Sequence, residues 1–420
     1  MISVEEALTC IARATRPLPI VELPITAAVG RTLADDVASD IDSPPHDKSM
    51  VDGYAVLASD LAAGPVKLRV LEEVTAGQVP TQKVVAGTAT RIMTGAPIPA
   101  GADAVVMVER TRQVAETRSD LGGSPSARVV IDDPRLRAGH NILPRATSLA
   151  RGEVVLRAGH RLRGIEVGLL AEVGRAWLTV RRRPRVAVLA TGNELVPVGQ
   201  TVPAGSIRNS NGPMLATRIE QLGAEAIDLG IGRDEPRQLA ELIQRGLAAD
   251  VLLLSGGVSA GVLDLVPQVL ADAGVVREFH KVNLKPGKPL WFGVYAAGSE
   301  SGDRVCLVFG LPGNPVSSLV CFELFVRQAL AAMQSARNTD REFEDASVPG
   351  QLATGFHHRG DRVTFHPAQT EWANGVWRVH PLAWHGSADL KTLTQANSLA
   401  RFPSGDHQHE PGDAVQVYWL

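Results

Sequence analysis

Hydrophobic positions follow three regimes along this chain. Between 185 and 336, short apolar runs at 186–190, 226–230, 251–254 and 305–309 alternate with stretches of helical spacing at 213–222, 235–247 and 315–333. Such runs suit strands buried on both faces, and strand–helix alternation at this spacing implies βαβ units with right-handed crossovers. Pro213 and Pro236 fall in first helical turns, where a missing N–H is tolerated, and Leu239, Leu242 and Ile243 mark one apolar face. The 315–333 stretch is mostly apolar, which predicts a largely buried helix. From 54 to 145, β-like runs such as 66–70 and 104–108 are broken by Gly and Pro turns, and no long helix is expected. Beyond 338, stretches at 357–384 and 414–419 read as strands of a small β domain. Two shorter helices are expected at 3–14, where Ser3 and Glu6 form a capping box, and at 164–173. Pro44-Pro45 marks an extended connector, and Arg181-Arg-Arg-Pro184 reads as a solvated linker.

Composition narrows the function classes. At 420 residues the chain should hold two to three domains by size alone. A formal charge of -3 and 4% aromatic residues give no general reason to expect nucleic acid or an acidic membrane as partner. An anion site must therefore be a local concentration of cations and backbone N–H groups. Cys10, Cys306 and Cys321 form no CxxC pair or zinc spacing, so buried reduced thiols are expected. No leader-like segment or run of 18 apolar residues is seen, and a soluble, cytoplasmic protein is expected.

The candidate chemistry lies in the loops after the four runs. They read Thr191-Gly-Asn-Glu194, Gly232-Arg-Asp234, the Gly-rich 255–264 loop and Gly310-Leu-Pro-Gly-Asn-Pro315. If the runs are parallel strands, all four loops meet at one rim, where open α/β sheets bind ligands. Gly257-Val-Ser-Ala-Gly261 matches the G-x-S-x-G elbow of serine hydrolases, but Ser255-Gly-Gly intervenes between strand and serine. A phosphate-cradling nest of N–H groups fits better, and a plain Gly-rich turn fits the loop alone equally well. Glu194, Asp234 and Asp264 come from three loops; each alone can be structural, yet together they are what Mg²⁺ shared with substrate phosphates requires. Lys281, Lys285 and Lys288 lie on a Pro- and Gly-stiffened segment that is no Walker A loop, since Pro289 follows Lys288; they suit oxyanions as point charges, against a solvated hairpin tip. The eleven histidines show no metal spacing, and none is assigned to catalysis.

Several motifs occur together and in order: Asp47-Lys-Ser-Met-Val-Asp-Gly-Tyr-Ala-Val56, Met93-Thr-Gly-Ala-Pro-Ile-Pro99, Ala190-Thr-Gly-Asn-Glu194, Ser206-Ile-Arg-Asn-Ser-Asn211, the 255–264 loop, the 281–289 run and Gly310-Leu-Pro-Gly-Asn-Pro315. On these the chain resembles the molybdopterin molybdenumtransferase family of molybdenum cofactor biosynthesis, similar to the C-terminal part of gephyrin. The central motifs are shared with adenylyltransferases and competence/damage-type hydrolases on the same binding domain. Asp52-Gly-Tyr-Ala55 and Thr94-Gly-Ala-Pro97 belong to the transferase arrangement.

The resemblance implies a multi-domain α/β and β fold: a central doubly wound α/β molybdopterin-binding domain (184–337), a β-rich inserted domain (46–147), an elongated segmented domain (1–45 and 148–183) and a C-terminal β-barrel-like domain (338–420). It further implies a homodimer, with the cleft formed by the α/β domain of one subunit and the β-rich domain of its partner. The substrates would be adenylylated molybdopterin and molybdate, the products molybdenum cofactor and AMP. Asp52, Thr94, Glu194, Asp234, Asp264, Lys285 and Lys288 are the candidate catalytic residues. Ser255, Gly256, Gly257, Ser259, Gly261, Lys281, Pro312, Gly313 and Asn314 are candidates for cofactor binding, and Glu194, Asp234 and Asp264 for Mg²⁺. Other proteins of molybdenum cofactor biosynthesis are candidate partners. The chain departs from the family at Lys48, where Asn is common, at 142–148, where the usual basic and acidic residues are mostly missing, and around Arg362, which has no secure counterpart. The competing readings are an adenylyltransferase, a hydrolase using Ser259, and a non-catalytic pterin carrier or scaffold.

Overall fold

The computed structural model describes residues 1–114, 127–257, 265–297, 304–335 and 347–420. The chain divides into two units. One comprises residues 1–35, 158–164 and 177–420, the other 36–157 and 165–176.

The first unit is built on a six-stranded sheet. Its strands are β1 (Arg185–Thr191), β2 (Glu225–Gly232), β3 (Val251–Ser255), β4 (Val276–His280), β5 (Trp291–Ala296) and β6 (Val305–Leu311), in the order β2-β1-β3-β6-β5-β4. The first four in that order run parallel, and β5 and β4 are antiparallel additions. The four apolar runs are thus the four parallel strands. Their continuous hydrophobicity has a direct cause: Val186, Val188, Val251, Leu253, Leu307 and Phe309 face one core, while Ala187, Leu189, Leu252, Leu254, Cys306 and Val308 face another. Successive side chains of a strand point to opposite faces, so a strand with helices on both sides needs apolar residues at every position. Helices α1 (Asn211–Gln221) and α4 (Pro315–Met333) cover the first face, and α2 (Pro236–Gly246) and α3 (Val266–Asp272) the second. Antiparallel β4 and β5 have no counterpart among the four runs. They flank the lysine segment, which is thereby a loop between two strands of the main sheet.

By length and composition α4 could cross a membrane, but it is the core helix of this sheet, with Val316 to Val326 almost wholly enclosed. Its middle turn, Phe322–Val326, is a π-helix. The one acid there, Glu323, has a side chain only 3% exposed and accepts from Arg218 of α1 at 2.7 Å and from Arg327 one turn on at 3.1 Å. Arg327 also donates to the carbonyl of Trp419 at 2.9 Å, which ties α4 to the end of the chain. The opening helix, Val4–Ala14, carries both bonds of the Ser3/Glu6 capping box and buries Val4, Ala7 and Ile11 against the same core.

The C-terminal strands close on themselves. Val363–Ala373, Val376–Pro381, Val348–Leu352, Ala414–Trp419 and Ser398–Phe402 form a ring in which the last also pairs with the first, giving a five-stranded barrel around Ala368, Ala400 and Val417. Leu284–Lys285 of the lysine loop joins it in parallel, with Lys285 opposite Thr364.

The second unit carries another six-stranded sheet, of Ala104–Met107, Gly53–Val56, Thr88–Ile92, Val66–Val74, Arg128–Ile131 and Thr111–Val114 in that order. Gly53 is required here: a Cβ on it would lie 1.8 Å from the carbonyl oxygen of Val106 on the neighbouring strand. The mixed α/β and β architecture expected from the motifs is the one observed.

Removing Glu323 leaves two partly exposed arginines without the enclosed carboxylate they share. Glu323→Ala should cost about 3–5 kcal/mol, read as a lower urea midpoint, whereas Glu323→Gln, which keeps acceptor capacity, should cost clearly less. Equal losses in both variants would show that the charge contributes nothing.

Candidate active site

A cavity of about 960 Å³ opens at the C-terminal ends of β1, β3 and β6. That position follows from topology, because parallel strands bring all their following loops to one rim. Thr191 enters it from the end of β1 and Glu194 from the loop that follows, Ser255 and Gly256 from the end of β3, and Pro312, Gly313 and Asn314 from the loop after β6. Lys285 and Lys288 line it from the β4–β5 loop.

One side-chain amide joins three of these segments. Asn211, the first residue of α1, donates through Nδ2 to Ser255 Oγ and to the carbonyl of Gly313, both at 2.7 Å. Its Oδ1 is closed to solvent and has no hydrogen-bond partner among the described residues. An orphaned acceptor on the wall of a cavity is a natural contact for a donor on a ligand. Asn209 caps the same helix, its Oδ1 accepting from Gly212 N–H at 2.9 Å. The N-termini of α1 and α4 both border the cavity, and the positive ends of their dipoles favour anions. Gly256 holds φ +97°, and a Cβ there would stand 2.5 Å from the Thr191 carbonyl oxygen, so β1 and β3 can end this close together only with glycine at that position.

Charge in the cavity is lopsided. Among the described residues, Arg208, Lys285, Lys288 and Arg362 line it against the single carboxylate of Glu194. In a chain of net charge -3, this is the local concentration of cations that an anion site demands. Arg362 comes from the barrel: it donates to the Leu284 carbonyl at 3.1 Å, next to Lys285, so one residue both braces the lysine loop and adds a charge. The loop also rests on α4, with the Gly287 carbonyl 3.6 Å from Cys321 Sγ. Burial keeps the thiols of Cys306 and Cys321 protonated, pushing Cys306 up to about 12. Burial, reinforced by the charge of Lys285, likewise holds the imidazoles of His358 and His366 below their usual range and hence neutral. No histidine lines the cavity.

The remaining candidates fall elsewhere. Lys281 does not line the cavity. It ends β4 with φ +73°, and its backbone bonds Leu290 and Ile2, so it shapes the loop. Gly257 lies just behind the rim, packed on Thr191 and Val266. Asp234 is exposed and outside the lining, but its N–H is bound by Asn193 Oδ1 at 3.1 Å, and Arg233 beside it donates to the carbonyls of Asn193 and Leu195 at 2.9 and 3.0 Å. The loops of Glu194 and Asp234 are therefore stitched together. Ser259, Gly261 and Asp264 lie outside the described residues, among which no cluster of three metal-binding side chains occurs. Asp52 and Thr94 form a unit of their own: Asp52 Oδ1 accepts from both the N–H and the hydroxyl of Thr94 at 2.7 Å. Those two bonds, the backbone one first, hold the Asp52 carboxyl below its ordinary range, so it stays ionised into acid.

Sequence reasoning left Arg208, Asn209 and Asn211 as parts of a motif without roles, and passed over Trp384 and Ser387 entirely. The polar run 206–211 ahead of an apolar helix was a usable signal for the first group. Trp384 and Ser387 gave none, since they reach the cavity from the barrel, where Ser387 accepts from Asn314 Nδ2 at 2.8 Å. Asn211→Ala should lower stability by about 1–3 kcal/mol, read as a lower thermal midpoint, because Ser255 and Gly313 lose their common donor. An unchanged midpoint would mean that water replaces the amide without loss.

Three family models match successive parts of the chain: the MoeA N-terminal region (domain I and II) at residues 2–174, a probable molybdopterin binding domain at 187–332, and the MoeA C-terminal region (domain IV) at 349–420. A relative from Nostoc named molybdopterin molybdenumtransferase is 35% identical, the alignment covering 94% of this chain and 87% of the relative. A Mycobacterium tuberculosis protein named molybdopterin molybdenumtransferase 2 is 33% identical over the full length of both. The crystal structure of a molybdopterin biosynthesis MoeA protein from Pyrococcus horikoshii superposes with a TM-score of 0.80 at 31% identity, covering 100% of this chain and 99% of that one. The cation-lined cavity at the rim of the central sheet is thus set in a chain that belongs to the molybdopterin molybdenumtransferase family.

Proposed function

We propose that this protein inserts molybdenum from molybdate into adenylylated molybdopterin, releasing AMP, as a transferase of molybdenum cofactor biosynthesis. The observation that carries the reading is the convergence of Lys285, Lys288, Arg208 and Arg362 with two helix N-termini on one cavity. Both substrates are anions. Molybdate is a tetrahedral dianion, and the nucleotide–pterin conjugate contains a phosphoanhydride. Arg362, whose Nε and Nη1 hold Asp361 and the Leu284 carbonyl, adds a fixed charge, while the lysines act as point charges that neutralise charge building on the departing phosphate. The Oδ1 of Asn211 and the Nε1 of Trp384, both buried and without partners among the described residues, suit a polar ring such as a pterin. No protein nucleophile is needed.

Mg²⁺ is part of the proposal. Glu194 supplies an oxygen donor at the cavity wall, and Asp234 stands in the loop hydrogen-bonded to the neighbour of Glu194. Such a donor set suits a hard cation that keeps one or two carboxylates and shares the rest of its shell with phosphates. When bound, it would supply charge stabilisation on the phosphoanhydride. Asp264 completes the proposed carboxylate set. The reading also includes a cytoplasmic homodimer in which Asp52 and Thr94 act on substrate held by the other copy.

AMP release from adenylylated molybdopterin, followed with and without molybdate and Mg²⁺, tests the proposal. Wild-type protein should release AMP only with both present. Lys285→Ala and Arg362→Ala should lower the rate by about 10²–10³, the loss usual for one preorganised stabilising group, with the fold intact by circular dichroism. Release independent of molybdate would reject the transferase reading. The dimer is tested by mixing Asp52→Ala with Lys285→Ala protein: two inactive variants should give up to about a quarter of wild-type activity in the mixture if each supplies what the other lacks. No recovery would exclude shared sites.

A further inference from the structure

The Arg181–Arg183 run looks like a solvated linker in the sequence, and the fold makes more of it. Arg182 makes a two-pronged pair with Asp250 at 2.8 and 2.9 Å, and Arg185 stands 4.0 Å from Glu225. Arg16 donates to the carbonyls of Arg13 and Thr15 at the end of the opening helix, and Arg304 donates to Leu247 just beyond α2. Cations at helix C-termini have a structural purpose. Those four are explained.

Arg31 and Arg183 are not. The Nε atom of each is closed to solvent and has no acceptor among the described residues. The backbone brings them together deliberately: Thr32 bridges Arg161, the N–H of Arg181 bonds the Thr32 carbonyl at 3.0 Å, and the N–H of Glu225 bonds the Pro184 carbonyl at 2.8 Å. Arg161 lies over the C-terminus of α1, with Nη2 3.2 Å from where a Cβ on Gly223 would sit. Burial, and then the nearby charge of Arg183, lowers the pKa of Arg31, with only the exposed Glu225 opposing. Two half-buried guanidiniums that repel each other and leave donors unpaired are a cost the fold carries without return, unless an anion sits between them.

We propose that Arg31, Arg161 and Arg183 form a second anion site, for a phosphate-type oxyanion, at the N-terminal edge of the central sheet. Donors from three separate segments suit a tetrahedral, multivalent anion better than a planar monovalent carboxylate. Arg183 precedes β1, and the cavity lies beyond the other end of that strand, so about 20 Å of strand separates the two sites. The site does not depend on the proposed reaction.

The test is titration of the full-length protein with inorganic phosphate, read by calorimetry and by thermal midpoint, with acetate at matched ionic strength as control. Wild-type protein should bind phosphate and gain midpoint, and acetate should do neither. Arg31→Met and Arg183→Met should each weaken phosphate affinity about ten-fold or more, the loss of one charge-assisted contact. Without phosphate each should match or exceed the wild-type midpoint, since the repulsion is gone. Lys285→Ala should keep the phosphate response, which assigns it to this site and not to the cavity. An equal phosphate response in wild type and both methionine variants would overturn the proposal. So would loss of self-association in those variants without any phosphate effect, which would assign the arginines to carboxylates of a second copy.

Discussion

The site depends on the amide of Asn211. Its two hydrogen bonds, to Ser255 Oγ and the Gly313 carbonyl, hold together the start of α1, the end of β3 and the loop after β6. Each of these segments is the exit of a different βα unit: the ladder fixes the strand ends, with Ser255 opposite Ala190 and Leu311, and the amide ties to them the loop and the helix start beyond. A buried amide can do so because it must be satisfied in place: once water is excluded, its donors have no alternative partners. The close approach of β1 and β3 that Gly256 permits then completes a narrow floor, over which the helix N-termini stand.

The cations are positioned from the other side by a different device. Lys285 and Lys288 sit on a loop that has little regular structure of its own, yet it is clamped between a barrel strand, the Arg362 guanidinium and the enclosed Cys321. A loop whose backbone is held by several independent contacts pays its ordering cost during folding and not when a ligand arrives, which is what a charge-stabilising site needs. The barrel is therefore part of the site, through Arg362, Trp384 and Ser387, as well as a cap on the sheet.

Much of the fold was legible because its physics is local. The four parallel strands, α1, α2, α4 and the capping box at Ser3 follow from apolar period, proline placement and side-chain capping, each decided within a few residues. Strands β4 and β5 were harder: Val276, Arg277 and Glu278 are exposed on an edge strand, so no apolar run marks it. Within the site, Glu194, Lys285 and Ser255 were legible because loops after parallel strands must share a rim. Lys281 is set apart from the cavity only by the fold, since three lysines on one loop look equivalent until the backbone turns one of them away. Arg362 had no secure counterpart because an arginine in a β stretch gives no sign of which loop it will brace.

By itself the amino-acid sequence determined the alternation of strand and helix, the rim on which the loops gather and the kinds of side chain available there, because periodicity and turn chemistry act over short range. Only the tertiary structure decided which of those side chains share a cavity, which cations are supplied by the barrel, and that Arg31 and Arg183 come to face one another. Those outcomes rest on contacts between residues tens to hundreds of positions apart, where the arrangement is set by packing and closure and not by any local preference.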